Sequence, residues 1–244
     1  MARPRNPLNT KPRSVAIIGL GPSAQVYLAH AAKKVDFLEV DEVWVCNSAY
    51  EVLCADKAFM MDDFGDIVHR YPQWAAKLKL GKTPIISCSK HEDFPHVWEY
   101  PRDAVLEFLK DDWLSTTPAY MVAYAMYIGV RSMYLYGIDY NYPGGMAVES
   151  GADCVAHLLG MAKVMKIDYK IPQESTLCDA NLTQFAKPDE KGRLRRPLYG
   201  YDYNPGDSAA AVERGTGSPL DRAVANKRPM VVTDPKMFSN LKQV

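Results

Sequence analysis

The sequence lacks most of the features that declare a function at once. Its five cysteines in 244 residues form no C-x-x-C pair, so neither a disulfide framework nor a thiolate zinc site is expected, and the thiols should be reduced. Neither charge is in excess, with 29 basic and 29 acidic side chains, which removes a general attraction to nucleic acid or to an anionic membrane. No apolar run approaches the roughly 18 residues that span a bilayer. The basic N-terminal stretch leads into a glycine turn instead of a signal-type apolar segment. The expectation is a cytoplasmic protein with no membrane partner. A Walker loop, H-E-x-x-H, G-x-S-x-G and the kinase signature are also missing, so no single local motif announces chemistry.

What remains is an ordinary globular composition, 48% hydrophobic and 24% charged, with ample chain for a large core. Residues 1–13 hold three prolines and four basic side chains (Arg3, Arg5, Lys11, Arg13), which suits an extended arm. From Ser14 onward, short apolar runs at 15–18, 42–46, 58–61, 84–88, 133–136 and 167–171 read as strands. Helical stretches are expected at 23–34, 50–54, 72–80, 102–109, 118–129 and 151–166. Strands apolar on both faces and separated by helices indicate a parallel sheet covered on both sides. The expected fold is therefore a doubly wound, mostly parallel, Rossmann-like α/β domain over residues 14–172. Residues 173–244 turn polar and rich in glycine and proline, too long for a simple loop. They form an irregular C-terminal extension that wraps the core or a neighbouring subunit, and in the second case gives a route to a homo-oligomer.

Open parallel sheets bind ligands outside the carboxyl ends of their strands. The residues at those tips are Gly19, Gly21, Pro22 and Ser23 after the first strand, and Asn47 after the second. Asp62 and Asp63 follow the third, and Gly137, Asp139 and Tyr140 follow the strand at 133–136. The first tip, G-L-G-P-S-A, fits the G-x-G-x-x-A fingerprint in which a glycine turn offers backbone amides to phosphate at a helix N-terminus. Two features turn it away from a nicotinamide cofactor. Pro22 removes one N–H from the cradle, and the second strand ends in Cys46-Asn47 where a ribose-binding acid is expected. The adjacent carboxylates of "FMMDDF" can hold a divalent metal, act as a base or cap the next helix. Thr116 or Thr117, at the start of the helix after "STTP", can offer a hydroxyl to phosphate or serve as the cap. Glu149, just before the helix at 151, belongs with Asp63 and Tyr140 at the rim. His91, His96 and His157 are not singled out by any spacing. Tyr199, Tyr201 and Tyr203 near Arg193, Arg195 and Arg196 either clamp an acceptor or pack the extension onto the core.

Taken in order, the G-P-S turn, "VWVCN", "AFMMDDF", "TTPAYMVAYAMYIGVRSMYLYGID" and "ESGADCVAHLLGMAKVMKI" resemble a Rossmann-like group of nucleotide-dependent transferases. That group includes the archaeal-type 6-hydroxymethylpterin pyrophosphokinases and the bacterial sialyltransferases, and the chain also looks like uncharacterised bacteriophage proteins related to them. The resemblance covers residues 14–171. It implies a nucleotide held by Gly19, Gly21, Pro22 and Ser23, with Asn47 near the phosphates or sugar; the strand-tip and helix-start reading adds Gly137 and Thr117 to the nucleotide-binding candidates. Asp62 and Asp139 then line the donor or acceptor side as catalytic candidates. Family turns often read N-G-P-S, and here Leu20 takes the Asn position. The expected function is a transferase using a nucleotide-activated donor, a nucleotide sugar first, as in a glycosyltransferase. One alternative is pyrophosphoryl transfer from ATP with magnesium on Asp62 and Asp63; another is a non-enzymatic nucleotide-binding or assembly protein. No tightly bound cofactor is expected, and the acceptor is left open.

Overall fold

Alternation in β-strands sends successive side chains to opposite faces, and the first strand shows what that requires here. Val15 and Ile17 enter one apolar cluster, Ala16 and Ile18 another, and all four are fully buried. A strand with no polar face can only sit in the middle of a covered sheet. The computed structural model describes residues 6–33, 40–62, 64–140, 151–178, 180, 187–188, 192 and 194–195. In chain order the elements are β1 (Ser14–Ile18), α1 (Ala24–Lys33), β2 (Glu42–Cys46), β3 (Lys57–Met60), α2 (Phe64–Arg70), α3 (Pro72–Leu80) and β4 (Ile85–Ser87). They continue with β5 (Val97–Glu99), α4 (Arg102–Leu109), α5 (Thr117–Tyr127), β6 (Ser132–Tyr136), α6 (Gly151–Val164) and β7 (Asp168–Lys170).

The sheet order is β5-β4-β3-β2-β1-β6-β7, and every neighbouring pair is parallel. Residues of α4, α5 and α6 pack on the Val15–Ile17 face, and residues of α1, α2 and α3 on the other. The fold is a doubly wound, Rossmann-like α/β sheet. Trp44, Phe59 and Tyr124 bring their rings within 5.4 to 5.8 Å of one another between sheet and α5, each ring contributing about 2–3 kcal/mol of burial.

Two local expectations change. The stretch 50–54 is not an α-helix; a 3₁₀-helix at Asn47–Glu51 follows β2 without a linker. The segment around "HVWE" reads as loop in sequence but supplies β5, with Val97 paired to Ile85. Only Val97 of its three residues is buried, so no alternation was available to reveal an edge strand. Beside it, His96 Nε2 is buried with no hydrogen-bond partner among the described residues. Burial holds the His96 pKa below the ordinary histidine value, against a backbone hydrogen bond involving Leu78 that raises it. A depressed folded-state pKa means that the unfolded chain takes up the proton first as pH falls below about 6.5, so stability is lost on acidification. We expect the melting temperature to fall between pH 7 and 5, and His96→Gln to flatten that fall; equal slopes for both proteins would show that His96 is not responsible.

Residues 6–13 run along the body. Asn6 caps a 3₁₀-turn at Pro7–Asn9, Tyr124 Oη donates to the Leu8 carbonyl at 3.2 Å, and Lys57 Nζ donates to Thr10 Oγ1 at 2.8 Å. Lys57 is buried, ion-paired to Glu42 and 5.2 Å from the Trp44 ring centre. The chain divides into two compact units, Met1–Asn181 and Leu182–Val244. Within the second, Lys187–Pro188 pairs antiparallel with Leu194–Arg195. Among the described residues no helix is long and apolar enough to cross a membrane.

Candidate functional site

In this strand order the chain reverses direction across the sheet between β1 and β6, which is where an open α/β sheet leaves a crevice at its carboxyl edge. A cavity of about 400 Å³ opens there, within the ordinary size range of ligand sites. Gly19, Gly21, Pro22, Asn47, Asp62, Thr117, Gly137, Asp139 and Tyr140 all line it, so four separate strand tips converge as the spacing suggested. Asp63, Glu149, Tyr199, Tyr201, Tyr203, Arg193 and Arg196 lie outside the described residues.

The glycine turn is built by contact between two loops. Gly19 N–H donates to the Tyr136 carbonyl and Gly21 N–H to the Gly137 carbonyl, both at 2.7 Å. A Cβ on Gly19 would stand 2.3 Å from the Gly137 oxygen, and one on Gly137, whose φ is +66°, would stand 2.6 Å from the Gly19 oxygen. Ser23 closes the junction without lining the cavity. Its Oγ accepts from Gly137 N–H at 2.8 Å and donates to Asp139 Oδ1 at 2.6 Å, while its N–H donates to Asp139 Oδ2 at 2.7 Å. Ala24, Gln25 and Val26 N–H bond back to Gly21, Pro22 and Ser23. Pro22 has no N–H. From Gly19 to Val26, Leu20 is the residue whose N–H has no hydrogen bond among the described residues. A dinucleotide cradle needs several such donors.

The helix start that faces the cavity with open donors is that of α5. Its N-cap, Thr116, makes no capping bond, because its Oγ1 is 2.6 Å from Tyr140 Oη. The Thr117 hydroxyl lies near enough to the Cys46 thiol to lower its pKa. The Thr116 hydroxyl is thus occupied, and the Thr117 amide and hydroxyl at the cavity wall, with the positive end of the helix dipole, are what α5 can present to an anion. Gly151, the first residue of α6, permits this packing: a Cβ there would lie 2.4 Å from Thr116 Cγ2 and 2.8 Å from the Tyr140 ring.

Asn47 stands at the tip of β2 with φ +48°, the left-handed region that asparagine tolerates better than most residues. Its Oδ1 is buried with no hydrogen-bond partner among the described residues. An unpaired buried acceptor costs about 1–3 kcal/mol. Asp62 is exposed and no hydrogen bond or ion pair engages its carboxylate among the described residues. Asp139, 5% exposed, has both oxygens committed to Ser23. Among the described residues no group of three histidine, cysteine, aspartate or glutamate side chains converges on a metal position. His157 is held instead by Asp111 at 2.6 Å.

Cys46, Leu20, Ser115, Thr116, Pro118 and Ile138 complete the cavity wall. In the sequence only their neighbours mark Ser115, which precedes the Thr-Thr-Pro start, and Cys46, which precedes Asn47. Burial, then the neighbouring Asp62 charge, push the Cys46 thiol up to about 12, against a hydrogen bond from Thr117 that lowers it. It is therefore a neutral lining group and not a nucleophile. On brief exposure to iodoacetamide at pH 8, mass spectrometry should find Cys54 and Cys88, both exposed, alkylated before Cys46 and Cys154, both buried. Labelling of Cys46 as fast as Cys88 would contradict the assignment.

No family model matches the chain, and no curated protein matches it. Seventeen chains of solved structures do. The sialyltransferase CstII from Campylobacter jejuni in complex with the substrate analogue CMP-3FNeuAc matches at 17% identity and a TM-score of 0.44, over 84% of this chain and 100% of that one. The monofunctional alpha-2,3-sialyltransferase Cst-I from the same organism matches at 16% identity and a TM-score of 0.45, over 87% and 95%. An apo alpha-2,3-sialyltransferase from Campylobacter jejuni matches at 16% and 0.43, over 83% and 94%. At identities of 16–17% and TM-scores below 0.5 the likeness carries no argument about what the cavity of this chain does.

Proposed function

We propose that the cavity binds the nucleotide of an activated donor, a nucleotide sugar, and that the protein transfers the sugar to an acceptor hydroxyl. The observation that supports this reading is that one cavity is lined both by Asn47, whose buried Oδ1 has no hydrogen-bond partner among the described residues, and by a helix N-terminus with no side-chain cap. Asn47 accepts from a ribose hydroxyl or a base amino group. The amides at the start of α5 receive the phosphate and stabilise its added charge as the bond to the sugar breaks. The exposed Asp62 carboxylate takes the proton of the attacking hydroxyl, whose oxygen forms the new bond to the anomeric carbon while the nucleotide departs with the bonding pair. Asp139 positions the G-P-S turn through Ser23 and does not serve as the base.

Thermal shift and calorimetry with CMP, the nucleotide held in a CstII complex of similar fold, and with UMP, AMP and NAD test the binding step. A nucleotide present at 100 times its dissociation constant should raise stability by about 2.7 kcal/mol. Asn47→Ala should weaken it about ten-fold, as for the loss of one hydrogen bond from a buried group. If no monophosphate or nucleotide sugar shifts the transition, or if NAD binds best, the reading is wrong.

A further inference from the structure

A second cavity, of about 520 Å³, lies beside the first. Consecutive residues divide the two: Met61 lines the second and Asp62 the first. On α5, Tyr120 lines the second cavity one helical turn from the N-cap Thr116, which lines the first. Asp62 therefore stands at the partition, where a base must stand if one cavity holds donor and the other acceptor. Part of the wall comes from residues before β1, since Asn6 and Leu8 face this space.

The chemistry of the wall selects a ligand class. Trp98 is half-buried and lines the cavity; Tyr100 and Tyr120 pack edge to face at 5.1 Å, and the Tyr100 hydroxyl is spent on the Tyr120 carbonyl. Two cations, Lys90 and Arg102, face two carboxylates, Glu99 and Asp103, and Arg102 bonds Asp103 at 2.9 Å. A balanced set of donors and acceptors around aromatic surface suits a ring bearing many hydroxyl groups and no net charge. A polyanion would need an excess of cations. Asn6 accepts from Leu8 N–H through Oδ1, which leaves its amide NH₂ as a donor to such a ligand.

We propose that this cavity binds a neutral sugar as acceptor, and that the arm segment Asn6–Leu8 is a specificity-determining part of its wall. The second statement follows from how the arm is held. Lys57 grips Thr10 and Tyr124 grips the Leu8 carbonyl, so Asn6 sits at the cavity on an anchored segment. The acceptor role rests on the donor reading above; the sugar site itself does not.

The test is calorimetry on the full-length chain with maltose, cellobiose and lactose as neutral probes, glucuronate and inorganic phosphate as anionic ones, and CMP as the donor-side control. Trp98→Ala and Asn6→Ala are expected to weaken the neutral disaccharides about ten-fold each and to leave CMP affinity unchanged, while Leu28→Ala, exposed on α1, changes neither. Should Trp98→Ala not fold, Asn6→Ala carries the same comparison. Disaccharide affinity indifferent to both substitutions, with CMP still bound, overturns the inference and leaves the donor reading intact. Loss of disaccharide affinity in a protein that binds no nucleotide supports the sugar site and overturns the donor reading instead. Tighter binding of glucuronate or phosphate than of any neutral disaccharide overturns the ligand class.

Discussion

Replacing Gly19 with alanine is expected to cost about 3 kcal/mol or more and to abolish nucleotide binding with it. The new Cβ would stand 2.3 Å from the Gly137 oxygen and 3.0 Å from its carbonyl carbon, and the obstacle is backbone, which cannot rotate away as a side chain would. Gly137 is itself held from both sides, its carbonyl accepting from Gly21 N–H and its N–H donating to Ser23 Oγ. Relief requires the two loops to part, which loosens these bonds at about 1 kcal/mol each and adds an overpacking cost of about 1–3 kcal/mol. For a unit of this size that is a fall in melting temperature of roughly 10 °C. Gly160→Ala is the matched control: it lies within α6 with no atom within 4 Å of a built Cβ, and should stabilise by up to about 1 kcal/mol through helix propensity. Thermal unfolding of the two variants decides the matter, and a Gly19→Ala protein within 1 kcal/mol of the parent would show that the loops are not locked as described.

Asp62→Asn is expected to lower sugar transfer by about 10²–10⁴-fold while leaving melting temperature and donor affinity where they were. Its carboxylate is exposed, lines the cavity and has no partner among the described residues to lose. Asp139→Asn should behave in the opposite way. The amide keeps one acceptor for Ser23 but faces the other Ser23 donor with N–H groups, so stability falls by about 1–3 kcal/mol. Any loss of activity there should follow the loss of donor binding. Comparing kcat with donor KM in both variants separates a group that moves a proton from one that holds a turn. Transfer by Asp62→Asn within ten-fold of the parent would remove it as the base.

The relation between sequence and structure is clearest at the glycine turn. G-L-G-P-S-A correctly marks a strand that turns into a helix beside a cavity, because only glycine permits the approach that the turn makes. The partner in that approach is the Gly137 loop more than a phosphate, and nothing in residues 14–34 could reveal it, since Gly137 and Asp139 lie more than a hundred residues away in the chain. The same distance hid the difference between the two aspartates. Both follow apolar strands, and only the folded chain shows Asp139 committed to Ser23 and the Asp62 carboxylate without a partner among the described residues. Likewise "STTP" identifies a helix start, with two hydroxyls as the visible candidates; the contact with Tyr140 removes that of Thr116 and leaves Thr117 with the helix-start amides.

By itself, then, the order of apolar runs and helical stretches determined the doubly wound parallel sheet and which strand tips would meet, because strand burial on both faces and the rule of ligands at the carboxyl edge depend on local pattern. Which group in that crevice binds, which reacts and which merely holds the turn was decided by tertiary contacts. A side chain's hydrogen-bond capacity is finite, and what it has left for a ligand is known only once its distant partners are in place.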